Sequence, residues 1–254
     1  MLRRVLPKLT RHWRVIALVR HRDAELAAHG ITQVLGDLDQ PATLGRLAGI
    51  ADAVIHSAPP PDHGDADPRT RRLIAALRKG SLPRSLVYIS TSGVYGDCRG
   101  DVVPETHPLR PATARAQRRQ NAEDMLRAFA AESGCRVVIL RAPGIYALDR
   151  LPLERLRQGL PVLQADADIY TNHIHAGDLA GACLAALRAG RINRSYNVCD
   201  DSALLMADWY DRLADRFQLP RPPRMAKNEA KERLSAMQWS FMQESRRLNE
   251  SVCC

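Results

Sequence analysis

Aromatic side chains are scarce in this chain of 254 residues: 3 Phe, 3 Trp and 6 Tyr, or 5% of the total. Proteins that grip single-stranded nucleic acid stack bases on aromatics set among basic residues, and no basic run here alternates with aromatics. The formal charge is +9, yet the arginines are interleaved with acids in helical segments such as residues 207–216. That pattern suits a solvated arginine-rich surface or an anionic small ligand, and no nucleic-acid partner is expected. No apolar run approaches the ~20 residues of a membrane span. Arg3, Arg4, Lys8 and Arg11 are not followed by an apolar segment with a small-residue cleavage site, so neither a membrane role nor a secretory signal is expected. None of the six cysteines (Cys98, Cys135, Cys183, Cys199, Cys253, Cys254) has zinc-ribbon or finger spacing. Buried free thiols in a reducing cytoplasm are the expectation, with Cys253-Cys254 as a frayed end.

What is present is an alternation of strand-like and helix-like runs. The fullest is residues 85–96, Ser-Leu-Val-Tyr-Ile-Ser-Thr-Ser-Gly-Val-Tyr-Gly. It begins as an apolar, β-branched strand and breaks into three consecutive hydroxyls and two glycines. Such a strand delivers hydroxyls to the carboxyl edge of a sheet, where open α/β sheets bind ligands; a Ser/Thr-rich turn after a core strand is the plainer reading. Further strands are expected around Val15, Val34, Val54, Val138 and Tyr196, with helices over residues 1–11, 69–79 and 204–217. Strands alternating with helices at this rhythm predict a doubly wound parallel sheet with right-handed crossovers.

Ser-Thr-Ser-Gly-Val-Tyr-Gly resembles the strand-end motif of the extended short-chain dehydrogenase/reductase family, the nicotinamide-dependent epimerases and dehydratases. The resemblance runs from the first helix to the tail. It implies a Rossmann-like domain over residues 1–150 and a small C-terminal substrate lobe over 151–254, with segments around 170–200 returning to the main domain. It implies NADP or NAD as cofactor and a sugar-like or other hydroxylated small molecule as substrate, in a cytoplasmic protein that could form a homodimer. The family's cofactor residues map onto Arg20, Asp37, Leu38, Ala58, Pro59, Pro143 and Ile145. Arg20 ends the second strand of the family layout, where a guanidinium suits the phosphate of NADP and so favours it over NAD, although a plain surface arginine reads equally well. Asp37 at the adenine ring could equally be a helix N-cap.

Two family features are missing. A Gly-x-x-Gly-x-x-Gly turn, whose N–H groups hold a pyrophosphate, occurs nowhere in the sequence. The first helix of that unit is expected, without the strand and turn before it, and the C-terminus is read as short. The family also places a Tyr-x-x-x-Lys pair on the helix after the hydroxyl strand. Aligned by Ala122-Glu123, those two positions hold Arg115 and Arg119, in Thr-Ala-Arg-Ala-Gln-Arg-Arg. Arginine keeps its proton at any working pH and cannot replace a tyrosine as general base.

The resemblance leaves Thr91, Ser92 and His173 as catalytic candidates, with Tyr95, Arg115, Arg119 and Tyr146 toward substrate. Residues 172–180, Asn-His-Ile-His-Ala-Gly-Asp-Leu-Ala, resemble a further family segment, with Asp178 expected as a helix N-cap. His173 and His175 share one side of an extended segment, but no further ligands are spaced nearby and no metal is expected. Three functions stay open: an atypical epimerase/dehydratase-like oxidoreductase, a non-catalytic dinucleotide-sensing member of the same fold, and a truncated inactive chain.

Overall fold

The computed structural model describes residues 2–249; Cys253 and Cys254 lie outside them. A 3-10 turn, Leu2–Val5, leads into α1 (Leu6–Leu9), so the helix expected over residues 1–11 is broken into two short pieces. Pro7 sits in the first turn of α1, where its missing N–H costs nothing. Next come β1 (Ile16–Val19), α2 (Ala24–Ala28), β2 (Thr32–Leu35), β3 (Ala53–His56), α3 (Pro68–Leu77), β4 (Ser85–Thr91) and β5 (Val102–Val103). The long α4 (Ala114–Ser133) precedes β6 (Arg136–Ala142), β7 (Gly144–Tyr146), α5 (Leu153–Arg157), β8 (Val162–Leu163) and β9 (Tyr170–Thr171). The chain closes with β10 (His173–His175), α6 (Ala176–Ala189), β11 (Arg194–Asn197), β12 (Leu204–Leu205), α7 (Met206–Arg216), β13 (Arg224–Met225), α8 (Lys227–Arg233), α9 (Ala236–Ser240) and β14 (Arg247–Leu248).

Four strands form a parallel sheet in the order β11-β6-β4-β3. Alternate residues of β4 and β6 serve opposite faces, as a pleated strand requires. Leu86, Tyr88, Val137 and Ile139 pack with α3 and α4, whereas Val87, Ile89, Val138 and Leu140 pack with α6. Both strands are buried on both faces, which explains their near-continuous apolar runs. This is the doubly wound, Rossmann-like arrangement expected from the sequence.

β1 and β2 form a separate parallel pair, with Ile16 opposite Thr32. The pair lies in the same layer as the larger sheet. Ile16, Leu18 and Val54 join the core under α3 and α4, while Val15, Ala17, Val19 and Ile55 join the one under α1 and α6. Yet no ladder connects β1 to β3 among the described residues. The usual order in a sheet of this kind is 3-2-1-4-5-6. Here β2-β1 and β3-β4-β6 match positions 3-2 and 4-5-6, so the break falls at position 1, from which the glycine turn leaves.

Residues beyond β7 gather two smaller apolar clusters. One holds Leu163, Met225, Ala230, Leu234 and Met242, and the other Leu156, Leu213 and Ala214 with Trp209 and Tyr210 against them. β10, α6 and β11 return to the main layer.

Candidate functional site

The carboxyl end of β4 opens into a 3-10 turn, Ser92–Tyr95, and Thr91 caps that turn by accepting the N–H of Gly93 at 3.2 Å. Ser92 is buried. Gly96 closes the turn with φ +71°, and a Cβ there would lie 2.1 Å from the Arg110 carbonyl oxygen, so only glycine fits. Beneath the turn is a buried polar network that the sequence did not announce. Arg141, on β6, grips Glu123 of α4 with Nη2 to Oε2 at 2.7 Å. Its Nη1 donates to the Tyr95 hydroxyl at 2.9 Å, which donates in turn to Asn197 Oδ1 at 2.7 Å. Ser90 donates to Glu123 Oε1 at 2.6 Å. Tyr95 is fully buried in this network; burial raises its pKa, with Arg141 pulling the other way. The network fixes the hydroxyl turn on α4 and leaves the Tyr95 hydroxyl fully engaged.

Arg115, Arg118 and Arg119 stand at i, i+3 and i+4 in the first turns of α4 and so share one face. With Thr91, Pro59, Pro60, Pro61 and Asp62 they line a cleft of about 270 Å³. Arg119 is held by Nη1 donating to the Ile89 carbonyl at 2.8 Å and to the Tyr88 hydroxyl at 3.0 Å. Arg118 is buried, and its Nη1 donates to the Gly64 carbonyl at 2.6 Å. Arg115 extends over the Phe241 ring at 4.4 Å. The cleft therefore brings together Thr91, Arg115, Arg119 and Pro59 from the residues singled out in sequence, and adds Arg118. The i, i+3, i+4 spacing was the signal that could have found Arg118.

His173 lies elsewhere on the edge. β10 pairs with β7, setting His173 opposite Gly144 and His175 opposite Tyr146. The His173 ring stacks on Trp209 of α7 at 3.9 Å and meets Tyr146 edge-on at 6.3 Å. Burial lowers its pKa to about 4, against a smaller upward pull from Asp200, and its Nδ1 has no hydrogen-bond partner. It is a neutral imidazole near pH 7, outside the arginine cleft. Tyr146 has its pKa raised by burial and by Asp200. The cap of α6 is His175, whose Nδ1 accepts the Gly177 N–H at 3.2 Å; Asp178 sits inside the first turn and is not the cap. No group of three or more His, Cys, Asp or Glu among the described residues is placed to hold a metal ion.

The sequence model of the NAD dependent epimerase/dehydratase family matches residues 3–199. The chain belongs to that family. It is 27% identical over 210 residues to the GDP-6-deoxy-D-mannose reductase of Pseudomonas aeruginosa, covering 72% of this chain and 69% of that protein. It is also 27% identical over 191 residues to a dTDP-glucose 4,6-dehydratase of Mycolicibacterium smegmatis, covering 66% of this chain and 57% of that one. Among solved structures, a conserved protein of unknown function from Silicibacter pomeroyi superposes with a TM-score of 0.77 at 26% identity, covering 98% of this chain and 85% of the other. A double mutant of dTDP-glucose 4,6-dehydratase from Streptomyces venezuelae, with NAD bound, superposes with a TM-score of 0.76 at 20% identity, covering 98% and 84%.

Of the residues that the family resemblance assigns to the cofactor, Arg20 follows β1, Asp37 and Leu38 follow β2, and Ala58 and Pro59 follow β3. Arg20 is exposed. Asp37 accepts the Asp39 N–H at 2.8 Å, and the 3-10 helix that follows has Gln40 at its N-cap position with no side-chain cap, so Asp37 closes a turn and is no helix N-cap. Leu38 is buried. Its carbonyl accepts Arg72 at 3.0 Å, and the Pro59 carbonyl accepts Arg69 at 2.9 Å. Arg69, Arg72 and Arg20 together hold the Asp39 carboxyl below its usual range, the Arg69 hydrogen bond contributing most. Pro143 separates β6 from β7, and Ile145 is the middle residue of β7, opposite Ile174 of β10. A dinucleotide held in the family manner needs an N–H cradle at the pyrophosphate and a Tyr/Lys pair at the nicotinamide ribose. The sequence has no glycine turn, and α4 offers guanidiniums where the pair would be. The residues on α4 therefore do not fit the nicotinamide-ribose end of the cofactor as the family holds it.

Proposed function

We propose that this chain recognises a sugar-like, hydroxylated small molecule of the nucleoside-diphosphate-sugar class at the carboxyl edge of its sheet, and that tyrosine-dependent hydride chemistry there is absent or very slow. The observation that carries this reading is the pair Arg115 and Arg119 at the positions of the family's acid/base tyrosine and lysine, both lining the cleft beside Thr91. Arg119 is further committed to the Ile89 carbonyl and the Tyr88 hydroxyl. A guanidinium can bind and orient an anionic or hydroxylated group, but it cannot cycle a proton near neutral pH. Thr91 offers a hydroxyl to a substrate oxygen. Its relatives' names, a GDP-sugar reductase and dTDP-sugar dehydratases, support the substrate class.

A second reading, an active NAD(P)-dependent epimerase/dehydratase-like oxidoreductase with NADP preferred, is favoured by Arg20 at the end of β1 and by the neutral imidazole of His173. A nicotinamide, if bound, would carry the hydride, accepting it from an alcohol when oxidised and donating it to a carbonyl when reduced. A panel of GDP- and dTDP-linked sugars assayed with oxidised NAD and NADP, and of simple ketones assayed with NADH and NADPH, separates the two. We expect saturable sugar-nucleotide binding with little or no turnover. Rapid turnover that survives both Thr91→Ala and His173→Ala would place the chemistry elsewhere and sink the first reading. NADP binding unchanged by Arg20→Ala would remove Arg20 from the second.

A further inference from the structure

We propose that the cleft between residues 59–62 and the first turns of α4 is a phosphoryl-binding site, in which Arg115, Arg118 and Arg119 take the oxygens of a phosphate carried by a small molecule. The inference rests on the reading above only in placing the ligand at the carboxyl edge.

The three guanidiniums occupy one helical face, and none of them is in an ion pair among the described residues. Charges of like sign crowded together without counter-ions are costly, and a dianion is the species that relieves them. Two carboxylates lie close. Asp62, on the rim, is exposed, meets His63 at 3.1 Å and acts on Arg118 through space. Glu244 acts on Arg115 through space but bonds Arg246 at 2.9 Å. Two carboxylates acting through space against three guanidiniums leave the face net positive.

The side chains are also prearranged. Arg119 is anchored to the Ile89 carbonyl and Arg118 to the Gly64 carbonyl, so both guanidiniums are fixed before a ligand arrives. Arg118 is nine-tenths buried or more, lines the cleft, and keeps an Nε–H with no hydrogen-bond partner. A buried donor without an acceptor is the kind of group that a bound oxygen satisfies. The opposite wall, Pro59-Pro60-Pro61, has no backbone N–H to offer. An anion there must be met by the arginines, whose forked donors suit phosphate oxygens. The positive end of α4, a helix of 20 residues, adds to the same field.

Size narrows the ligand. At about 270 Å³ the cleft lies just below the usual range for small-molecule pockets. It holds a phosphate with a short carbon skeleton, or the diphosphate of a larger molecule whose ends lie outside. The phosphoryl group is common to both.

The test is calorimetric titration of the full chain at fixed ionic strength with inorganic phosphate, pyrophosphate, a sugar 1-phosphate and a GDP-linked sugar. Wild type is compared with Arg115→Ala and Arg118→Gln. We expect one-to-one binding of the phosphates, weakened about tenfold or more in either variant. Arg115 is exposed and makes no hydrogen bond to the fold, only its contact with the Phe241 ring, so its variant folds with a urea midpoint close to that of wild type and carries the test even if Arg118→Gln does not fold. A sugar 1-phosphate binding better than the GDP-sugar identifies a terminal phosphate; the reverse identifies a bridging diphosphate. Failure of phosphate and pyrophosphate to bind, or equal binding to wild type and Arg115→Ala, overturns the inference. A GDP-sugar that binds wild type and Arg115→Ala equally would remove the phosphoryl cleft and take Arg115 out of the sugar-nucleotide site, while leaving sugar-nucleotide binding itself standing. Phosphates that bind through Arg115 without any sugar nucleotide binding would do the opposite.

Discussion

Glu123 and Arg141 are both essentially inaccessible, and each is the other's principal counter-charge. Ser90, Tyr95 and the Glu105 carbonyl complete their shells. Removing one partner strands a buried charge, which costs more than the intact pair contributes. Glu123→Ala should therefore lower the unfolding free energy by roughly 3–5 kcal/mol, read from urea denaturation. Tyr95→Phe removes only a hydroxyl and should cost about 1–3 kcal/mol. Equal losses would show that the hydroxyl, and not the charge pair, dominates the network. Two histidines make a second prediction at this scale. Burial lowers the pKa of His173 to about 4 and of His56 to about 3, where His56 Nε2 lies 2.8 Å from the Thr70 hydroxyl. An unfolded imidazole titrates near pH 6.5. As pH falls below that value the unfolded chain takes up protons that the folded chain refuses, so stability is lost from about pH 6.5 down to about 4. The difference between wild type and His173→Gln isolates one site. The wild type should lose roughly 3 kcal/mol more than the variant between pH 7.5 and 4, and parallel profiles would refute the burial of that ring.

The ends of elements sort the glycines. Gly134 caps α4 in the left-handed region at φ +70°, and a Cβ there meets nothing within 4 Å. Gly134→Ala should cost only the backbone strain, about 1 kcal/mol. Gly96 has a similar φ but a carbonyl oxygen in the way of any Cβ, and it holds the turn after β4. Gly96→Ala should cost clearly more, above ~2 kcal/mol, and should also weaken ligand binding because Thr91 belongs to that turn. Thermal or urea unfolding of the two variants decides this; equal losses would mean the turn moves aside freely. Elements of this kind were legible in sequence where a period or a breaker marked them. β4 and β6 are buried on both sides and spell continuous apolar runs, and the Ser-Thr-Ser-Gly end of β4 announces its turn. The face shared by Arg115, Arg118 and Arg119 follows from helical spacing alone. Other features leave no such mark. The two-residue strands β5, β8, β9, β12, β13 and β14 are too short to show a period. Trp209 reaches His173 from 36 positions away in the chain, and nothing local predicts it. His175, not Asp178, caps α6 because it is the residue with extended backbone, φ −68° and ψ 139°, just before the helix. Residue type suggested the aspartate; backbone geometry chose the histidine.

At the scale of the whole molecule, the break between β1 and β3 sets how stability is distributed. β4 is bonded along its length to β6, from Ser85–Arg136 to Thr91–Ala142, and to β3 on its other side. Among the described residues, β1 is bonded only to β2, and β3 only to β4. In a parallel strand alternate N–H groups point to each neighbour, so alternate amides of β1 and β3 face the break without a ladder partner among the described residues. The residues of β1 are also only partly buried, whereas β4 is buried from Ser85 to Ser90. Local opening follows the number of buried apolar contacts and the pairing of the backbone. The β1–β2 pair, held by Val34, Ile31 and Leu26 against the helices, should therefore open without disturbing the central sheet. Native-state hydrogen exchange should show Leu86 to Ile89 and Val137 to Leu140 exchanging only through global unfolding. Ile16 to Val19 and Thr32 to Leu35 should exchange at least ~100-fold faster through a local opening. In low urea the exchange of the central strands should steepen while that of β1 stays flat, since a small opening exposes little new surface. If β1 amides are as protected as those of β4 and share their urea dependence, then β1 and β3 are bridged in solution and the sheet is continuous.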